Sequence, residues 1–281
     1  MRCVLKYPGS KWSYADWIVS QFPEHNVYLE PYFGSGAAFF AKHPTRYETI
    51  NDVDGLVVNF FRAARDFPDE LARAINLTPF SRQEYRQIEE EHAGEDIQLT
   101  GDCVEDARRF AIRCFQGFGS KLADRCGWKN TKQSSGPINP NVWNGVPDSI
   151  LDAAMRLKSA QIENTDDVAL IRDYNAVDCL IYADPPYLGE TRNNKRIYRA
   201  EMMDEQAHVL LLETLLQHKG PVIISGYDND LYNDHLKGWH RETKEGRANS
   251  GAVRTEVLWM NFEHQITLFS YQDELEARHE M

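Results

Sequence analysis

Leu180-Ile181-Tyr182-Ala183-Asp184-Pro185-Pro186-Tyr187 is the stretch of the sequence that decides the fold. The apolar run from Val177 to Ala183, interrupted by Asp178, favours a β-strand, and it ends abruptly in an acid, two prolines and an aromatic ring. Such a run is typical of a strand buried in a parallel sheet, so we predict that the strand ends at Asp184. Ligands bind open α/β sheets at the carboxyl ends of the strands, which makes Asp184 a candidate site residue.

This stretch suits chemistry on the exocyclic amino group of a nucleobase. Such a nitrogen is a poor nucleophile because its lone pair is delocalised into the ring, and two acceptors that hold its hydrogens would make it more reactive. Asp184 and the carbonyl of Pro185 could be those acceptors, and the two prolines keep the backbone rigid. Tyr187 could stack on a base that has swung out of a duplex. The alternative is a structural Asp-Pro-Pro turn with a packed tyrosine.

Composition indicates a globular protein without a membrane span. The 281 residues, 42% of them hydrophobic, can form one large domain or one domain with an insertion. The amino-terminal residues lack the apolar core of a signal peptide, so we expect a cytoplasmic protein. The five cysteines contain no Cys-x-x-Cys pair and the nine histidines form no ligand cluster, so we expect reduced thiols and no metal.

Charge is unevenly distributed along the chain. A net charge of −12 argues against coating nucleic acid by bulk electrostatics. However, residues 84–106 contain nine acids and one Lys or Arg, whereas residues 108–132 contain seven bases and one acid. We interpret this as a polarised insertion with a basic, ligand-contacting surface. The alternative is a charged helix with a solvated face, followed by an ordinary basic loop.

A glycine turn and two acids indicate a nucleotide-binding unit. Gly34-Ser35-Gly36 follows a predicted strand and precedes a predicted helix, where a ligand can approach the backbone closely. A second strand ends at Asp52, about twenty residues later, where such units keep an acid for ribose hydroxyls. Asp54 competes for that role. We assign Asp52 to the ribose and Asp54 to the N-cap of the next helix.

The rest of the chain divides into an insertion and a second half of the sheet. We predict a catalytic domain from residues 1–65 and 165–281, interrupted by a helical, loop-rich insertion at 66–164. Residues 257–262 and 266–271 are predicted to form a terminal antiparallel pair. A basic loop at 189–199 could close over a polyanion. The residues that we expect on the phosphates and base edges of a nucleic-acid ligand are Arg113, Lys121, Arg125, Lys129, Lys132, Asn139, Asn141, Arg192, Lys195 and Arg196.

The glycine turn, the acid at the end of the second strand, the insertion and the Asp-Pro-Pro-Tyr stretch follow one another along the chain. In this order they resemble the motifs of the α-type, Dam-like adenine-N6 DNA methyltransferases of the D12 class. Residues 7–12 (Tyr-Pro-Gly-Ser-Lys-Trp) are similar to the amino-terminal cofactor motif of that family. Residues 30–36 (Glu-Pro-Tyr-Phe-Gly-Ser-Gly) are similar to its glycine motif, and residues 184–187 to its catalytic motif. The resemblance covers most of the chain but is loose in the middle segment.

The resemblance implies an α/β fold: a Rossmann-like S-adenosylmethionine-dependent methyltransferase sheet of seven strands, one of them antiparallel, with residues 66–164 as an inserted target recognition domain. It implies that Tyr7 and Lys11 contact the methionyl end of S-adenosylmethionine and that Asp52 takes the ribose. Glu30, Pro31, Phe33, Gly34 and Gly36 would shape the cofactor pocket. Asp173-Tyr174 is similar to the family's Asp-Phe pair, whose acid accepts a hydrogen bond from the cofactor adenine, with Tyr replacing Phe.

The implied activity is methyl transfer from S-adenosylmethionine to N6 of a flipped-out adenine in double-stranded DNA. Asp184, Pro185, Pro186 and Tyr187 would be the catalytic residues, and no metal is required. We expect a monomer. The resemblance implies no recognition sequence and leaves open a cognate restriction enzyme. Two alternatives remain, a cytosine-N4 methyltransferase and a catalytically idle DNA-binding protein on the same fold; the absence of Gly-x-Gly-x-x-Gly disfavours a dehydrogenase.

Overall fold

A computed structural model of the chain describes residues 2–91, 99–118, 122, 126–130, 138–188, 204–247 and 253–263. Within these ranges, seven strands form one sheet. In chain order they are β1 (Val27–Glu30), β2 (Tyr47–Asn51), β3 (Gln161–Glu163), β4 (Cys179–Ala183), β5 (Val222–Tyr227), β6 (His240–Arg247) and β7 (Val253–Met260). Their spatial order is β3-β2-β1-β4-β5-β7-β6, with the glycine-turn strand β1 next to β4 near the centre.

Strand directions confirm the predicted sheet. β1 pairs in parallel with β2 and with β4, while β3 and β5 extend the parallel part at either side. β7 is antiparallel to both β5 and β6. β4 ends at Ala183, so Asp184 follows directly at its carboxyl end, as the sequence predicts.

The partner of the antiparallel strand was predicted wrongly. The structure pairs β7 with β6, whereas the sequence predicts a partner at 266–271, which lies outside the described residues. β6 has the sequence His-Arg-Glu-Thr-Lys-Glu-Gly-Arg and contains almost no apolar residues. It is the last strand of the sheet in the described part of the chain, and a strand in that place has less need of apolar side chains.

Helices cover both faces of the sheet. They are α1 (Ala15–Ser20), α2 (Ala37–Ala41), α3 (Gly55–Asp66), α4 (Pro68–Asn76), α5 (Arg82–Glu91), α6 (Cys103–Gln116), α7 (Asn139–Asn144), α8 (Val146–Leu157), α9 (Asp167–Asp173), α10 (Glu205–Leu216) and α11 (Asp230–His235). Asp54, Asp102 and Asp204 each accept a backbone N–H in the first turn of the helix that follows. Short polar side chains therefore set where α3, α6 and α10 begin.

Alternation along the strands produces two hydrophobic cores. Leu180 and Tyr182 of β4 belong to one core, together with apolar side chains of α3, α6 and α8. Cys179, Ile181 and Ala183 of the same strand belong to the other core, which includes leucines of α10. Because successive strand residues point to opposite faces, β4 is apolar throughout and is buried on both sides.

The insertion is packed into the first core. Apolar side chains of α4, α6 and α8 are buried in the same cluster as those of α3, and Trp143 Nε1 donates to the carbonyl of Thr78 at 2.7 Å. The predicted boundary at residue 164 needs correction, because β3 lies before it and is a strand of the sheet. The sheet therefore resumes at residue 161.

Candidate active site

A cavity of about 430 Å³ opens along the carboxyl ends of β1, β2, β3 and β4. The strand ends contribute Glu30, Asp52 and Asp184, and the segment that follows β3 contributes Asp166 and Asp167. The segment before α1 forms another wall. Its volume falls within the range of small-molecule sites. Four strand ends thus deliver acidic groups to one cavity.

The turn between β1 and α2 lines the cavity with backbone. Gly34 and Gly36 have φ angles of 48° and 67°, in the left-handed region that favours glycine. A Cβ atom on Gly36 would lie 2.5 Å from the ring of Phe33, so no larger residue fits there without movement. Ser35 shares a hydrogen bond of 3.0 Å with Ser10, which ties the turn to the amino-terminal segment.

Asp54 caps the helix that follows it, as predicted, and Asp52 lies at the cavity. Asp54 caps α3 by accepting the N–H of Leu56 at 3.0 Å. Asp52 lines the cavity and accepts backbone N–H groups of Gly34 at 2.8 Å and Asp54 at 2.9 Å. Burial raises the pKa of Asp52 to about 7, although these two N–H groups oppose the shift. The glycine turn and the second strand are therefore joined through one carboxyl group.

Glu30 lies at the carboxyl end of β1 and is buried. It accepts a hydrogen bond of 2.6 Å from the hydroxyl of Tyr28. Burial raises its pKa to about 8, with the Asp184 carboxylate acting in the same direction. The cavity therefore contains a carboxyl group that holds its proton at neutral pH when no cation is bound.

Asp184 is held by groups from two distant parts of the chain. Lys11 Nζ lies 2.9 Å from its carboxylate and also donates to the carbonyl of Gly9 at 2.9 Å. Ser225, on the neighbouring strand β5, donates its hydroxyl to Asp184 Oδ1 at 2.8 Å. The Lys11 ammonium balances the carboxylate charge, and both partners fix its orientation. Asp184 and Pro186 line the cavity, whereas Pro185 and Tyr187 are not among its lining residues.

Tyr187 packs beside Asp184, and both its hydroxyl and its ring contact other side chains of the site. Its hydroxyl lies 3.3 Å from Asp184 Oδ1 and donates to Glu256 of β7. Its ring packs edge-on against Tyr227, with 4.5 Å between centroids, and Lys11 Nζ lies 4.7 Å from the ring centroid. Burial and the two carboxylates raise the pKa of Tyr187 well above its ordinary value, so the hydroxyl remains a donor.

The structure distributes the predicted cofactor residues unevenly. The residues that line the cavity are Tyr7, Lys11, Glu30, Phe33, Gly34 and Asp52. Pro31 and Gly36 lie in the same turn but do not line it; the carbonyl of Pro31 accepts from Asn51 at 3.0 Å. Each therefore shapes the turn rather than presenting a side chain to the cavity.

The prediction for Asp173 and Tyr174 needs correction. They lie at the far end of α9, and neither lines the cavity; the Tyr174 hydroxyl pairs with Thr49 Oγ1 at 2.6 Å. Asp166 and Asp167, at the start of α9, line it instead. The signal for them in the sequence is a third strand, Gln161–Glu163, followed after two residues by a pair of acids, which resembles the pattern that identifies Asp52 and Asp184.

Arg113 does not belong to a DNA-contacting surface. Its side chain is buried, with 4% of the residue exposed, and it pairs with Glu89 at 3.0 Å and the carbonyl of Leu122 at 3.1 Å. Arg108 and Arg109 also bind acids, namely Glu84, Glu91 and Glu105. Part of the charge polarisation in the sequence is therefore consumed by pairing between α5 and α6.

The remaining predicted DNA contacts are only partly described. Lys129 is half-buried, and burial lowers its pKa. Asn141 is exposed, whereas Asn139 is buried at the start of α7. The predicted contacts outside the described residues are Lys121, Arg125, Lys132, Arg192, Lys195 and Arg196.

Sequence reasoning missed Ser225 and Glu256. Ser225 belongs to β5, and its place beside β4 follows once the strand order is known. Glu256 comes directly before the apolar part of β7 and is buried. A lone acid before an apolar run is a signal, but only tertiary structure connects it to Tyr187.

Within the described ranges, no group of three or more His, Cys, Asp or Glu side chains is arranged to hold a metal ion. Among the helices of those same ranges, none combines the length and apolar character that crossing a bilayer requires.

Comparison with known proteins identifies a family. The chain matches the D12 class N6 adenine-specific DNA methyltransferases over residues 7–249. Curated protein sequences gave no match. Among solved structures, precorrin 8W decarboxylase from Methanobacterium thermoautotrophicum aligns over 92% of this chain and 94% of its own, at 7% identity and a TM-score of 0.38. A Pyrococcus horikoshii protein assigned as an RNA methyltransferase aligns over 94% and 86%, at 9% identity and a TM-score of 0.35.

These structural similarities are too weak to argue from. The family match is different in kind, because it spans most of the sequence and includes all three motifs around the cavity. It also favours adenine N6 over cytosine N4 and an active enzyme over an idle binding protein. The chain belongs to the D12 class N6 adenine-specific DNA methyltransferase family, and its substrate is DNA.

Proposed function

We propose that this DNA adenine methyltransferase uses S-adenosylmethionine as methyl donor and takes the target adenine out of a DNA duplex at a specific sequence. The observation that carries the proposal is the Asp184 carboxylate, which is held between Lys11 and Ser225 and opens onto the cavity beyond the glycine turn. The donor then binds in this cavity, and the end of the cavity at Asp184 faces the target base.

The residues around the cavity fit S-adenosylmethionine. The donor carries a positive sulfur and an ammonium group, and the cavity has five acids, Glu30, Asp52, Asp166, Asp167 and Asp184, with Lys11 already paired. A Cβ on Gly36 would crowd the turn that forms the cavity wall. Asp52 suits ribose hydroxyls, and Asp166 or Asp167 suits the adenine amino group. Bound there, the donor supplies an electrophilic methyl group on positively charged sulfur.

The protein makes the adenine amino group more nucleophilic. Asp184 and the carbonyl of Pro185 accept the two hydrogens of N6, which localises the nitrogen lone pair. As the bond between N6 and the methyl carbon forms, the methyl–sulfur bond would break and its electron pair would return to sulfur. N6 becomes positively charged, and the Asp184 carboxylate stabilises that charge and receives the proton that N6 loses. The Lys11 and Ser225 contacts keep the carboxylate oriented, so most of the acceleration comes from positioning and electrostatics.

We assign Tyr187 to stacking on the extruded adenine and residues 66–160 to target recognition. Stacking compensates for part of the cost of removing the base from the helix. A DNA-facing role of the insertion is supported by Lys129, by Asn141 and by the Lys and Arg residues that lie outside the described ranges. The proposal includes a monomer that acts in the cytoplasm, where DNA and the donor are present.

Transfer of a tritiated methyl group tests the proposal. Purified protein and tritiated S-adenosylmethionine should label duplex DNA, and nucleoside analysis should find the label in N6-methyl-2′-deoxyadenosine. Label in N4-methylcytosine, or no label with any of several genomic DNAs, would contradict the proposal. Equilibrium binding of S-adenosylmethionine to the protein without DNA tests the donor assignment separately.

A further inference from the structure

Glu256 is a buried acid to which the mechanism above gives no role. Only 3% of the residue is exposed, and its carboxylate lies beside the catalytic motif. Burying a carboxylate is costly unless it is paired. Its described partners are the hydroxyl of Tyr187 and, at 3.7 Å, the ammonium of Lys11. Both belong to the site.

The sheet holds Glu256 in a fixed relation to the Tyr187 ring. Glu256 lies directly opposite Tyr227 in the register of β7 and β5. Tyr227 packs edge-on against the ring of Tyr187, and Glu256 accepts a hydrogen bond from the hydroxyl of Tyr187. One strand pair therefore contacts the ring edge and the hydroxyl end, and Lys11 lies 4.7 Å from the ring centroid.

We infer that Glu256 is a positioning residue that locks the Tyr187 ring in the orientation needed to stack on the target adenine. This inference rests on the proposed function of the site. A tyrosine side chain that is already fixed loses little conformational freedom when the base arrives, so the base is captured with higher affinity. The bond from a neutral hydroxyl to a carboxylate belongs to the stronger class of hydrogen bonds.

The test compares Glu256→Ala and Tyr187→Phe with the wild type. The DNA is a duplex with the methylated site of the wild-type enzyme and with 2-aminopurine in place of the target adenine, whose fluorescence rises when it leaves the base stack. Glu245→Ala, an exposed acid on the neighbouring strand β6, is the matched control. Kinetics on unmodified duplex and binding of S-adenosylmethionine are measured for every variant.

In both site variants, we expect the fluorescence rise at saturating protein to shrink and kcat/KM for DNA to fall about tenfold or more. The dissociation constant for S-adenosylmethionine should stay within about twofold of wild type. Because both changes remove the same hydrogen bond, kcat/KM of the double variant should be little lower than that of either single variant. Glu245→Ala should resemble the wild type.

Wild-type fluorescence and kinetics for Glu256→Ala would overturn the inference, and so would equal losses of donor binding and DNA affinity, since these indicate a general structural role. If Glu256→Ala does not fold, Tyr187→Phe decides, because wild-type behaviour without the hydroxyl removes any need for its partner. Failure of the wild-type protein to methylate DNA would instead contradict the proposed function.

Discussion

At the scale of single residues, the site is a set of carboxyl groups under different constraints. Asp184 has a cation at 2.9 Å, whereas Glu30 and Asp52 have only neutral donors in their hydrogen bonds and raised pKa values, about 8 and about 7. A carboxyl group without a cation partner favours its neutral form when it is buried. A bound cationic donor would supply that partner.

Glu30 predicts a pH dependence of stability in the protein without ligand. Its carboxyl keeps a proton up to about pH 8 when folded but loses it near its ordinary value of 4.5 when unfolded. Between those values the unfolded chain binds fewer protons, so the contribution of Glu30 to stability decreases as pH rises. We expect the free energy of unfolding of wild type, minus that of Glu30→Gln, to fall by about 3 kcal/mol from pH 5 to pH 8.

Urea unfolding of both proteins at a series of pH values measures this difference. Taking the difference removes the effect of groups that both proteins share, including the buried histidines. A difference that is constant or that increases with pH would show that Glu30 is ionised in the folded protein at neutral pH.

The sequence predicts some residues of the site better than others, for a physical reason. Asp52 and Asp184 follow apolar strands, and strand ends meet at one sheet edge whatever the details of packing. Asp173 was chosen by resemblance rather than by such a strand end, and the structure places Asp166 and Asp167 at the cavity instead. Glu256 is connected to the site only through the register of β5 and β7, which no local pattern encodes.

At the scale of elements, the turn between β1 and α2 is the most constrained part of the site. Its two glycines have positive φ, and the Phe33 ring lies against Gly36. Its backbone N–H at Gly34 binds Asp52, so a distortion of the turn reaches the end of the second strand.

Gly36→Ala should therefore destabilise the protein by about 2 kcal/mol or more, because it combines an unfavourable φ with a steric clash. It should also weaken donor binding about tenfold or more, since the turn lines the cavity. Gly101→Ala is the control, because Gly101 has a φ of 86° and no atom within 4 Å of an added Cβ. Thermal unfolding and calorimetry measure the two effects. Equal stability losses in both variants would mean that the clash with Phe33 contributes nothing.

Elements were predictable where their sequence pattern matched their surroundings. β4 is apolar because both its faces are buried, and α3 has a capping acid at its start, so both were predicted. β6 consists mostly of charged and polar residues, so its pairing with β7 could not be read from the sequence. Pairing with a neighbouring strand, not apolar character, defines it.

At the scale of the whole molecule, the insertion is both part of the core and a candidate DNA surface. Its helices α4, α6 and α8 share a core with α3, and its arginines on α6 pair with acids of α5 and α6. A net charge of −12 is then compatible with DNA binding only through a limited set of Lys and Arg side chains that are not engaged in ion pairs with acids.

Arg113 and Lys129 should behave differently when they are replaced. Arg113→Leu leaves Glu89 buried without its cation and should cost about 3 kcal/mol of stability, with unchanged DNA affinity in the folded protein. Lys129→Ala should leave stability nearly unchanged, weaken DNA binding and reduce the salt slope of the affinity by about one. Denaturant unfolding and fluorescence anisotropy at several salt concentrations measure both. If Arg113→Leu reduced the salt slope of the affinity and Lys129→Ala left it unchanged, Arg113 and not Lys129 would be the residue that contacts DNA phosphates.

The most direct measurement is sequencing that maps methylated bases in DNA from cells that express the wild-type chain or Asp184→Ala. The wild type should produce N6-methyladenine at one short recurring sequence, and Asp184→Ala should produce none while the purified variant still binds S-adenosylmethionine. Methylation by Asp184→Ala at the wild-type level, or modification of a base other than adenine, would contradict the central role of the carboxylate that follows β4.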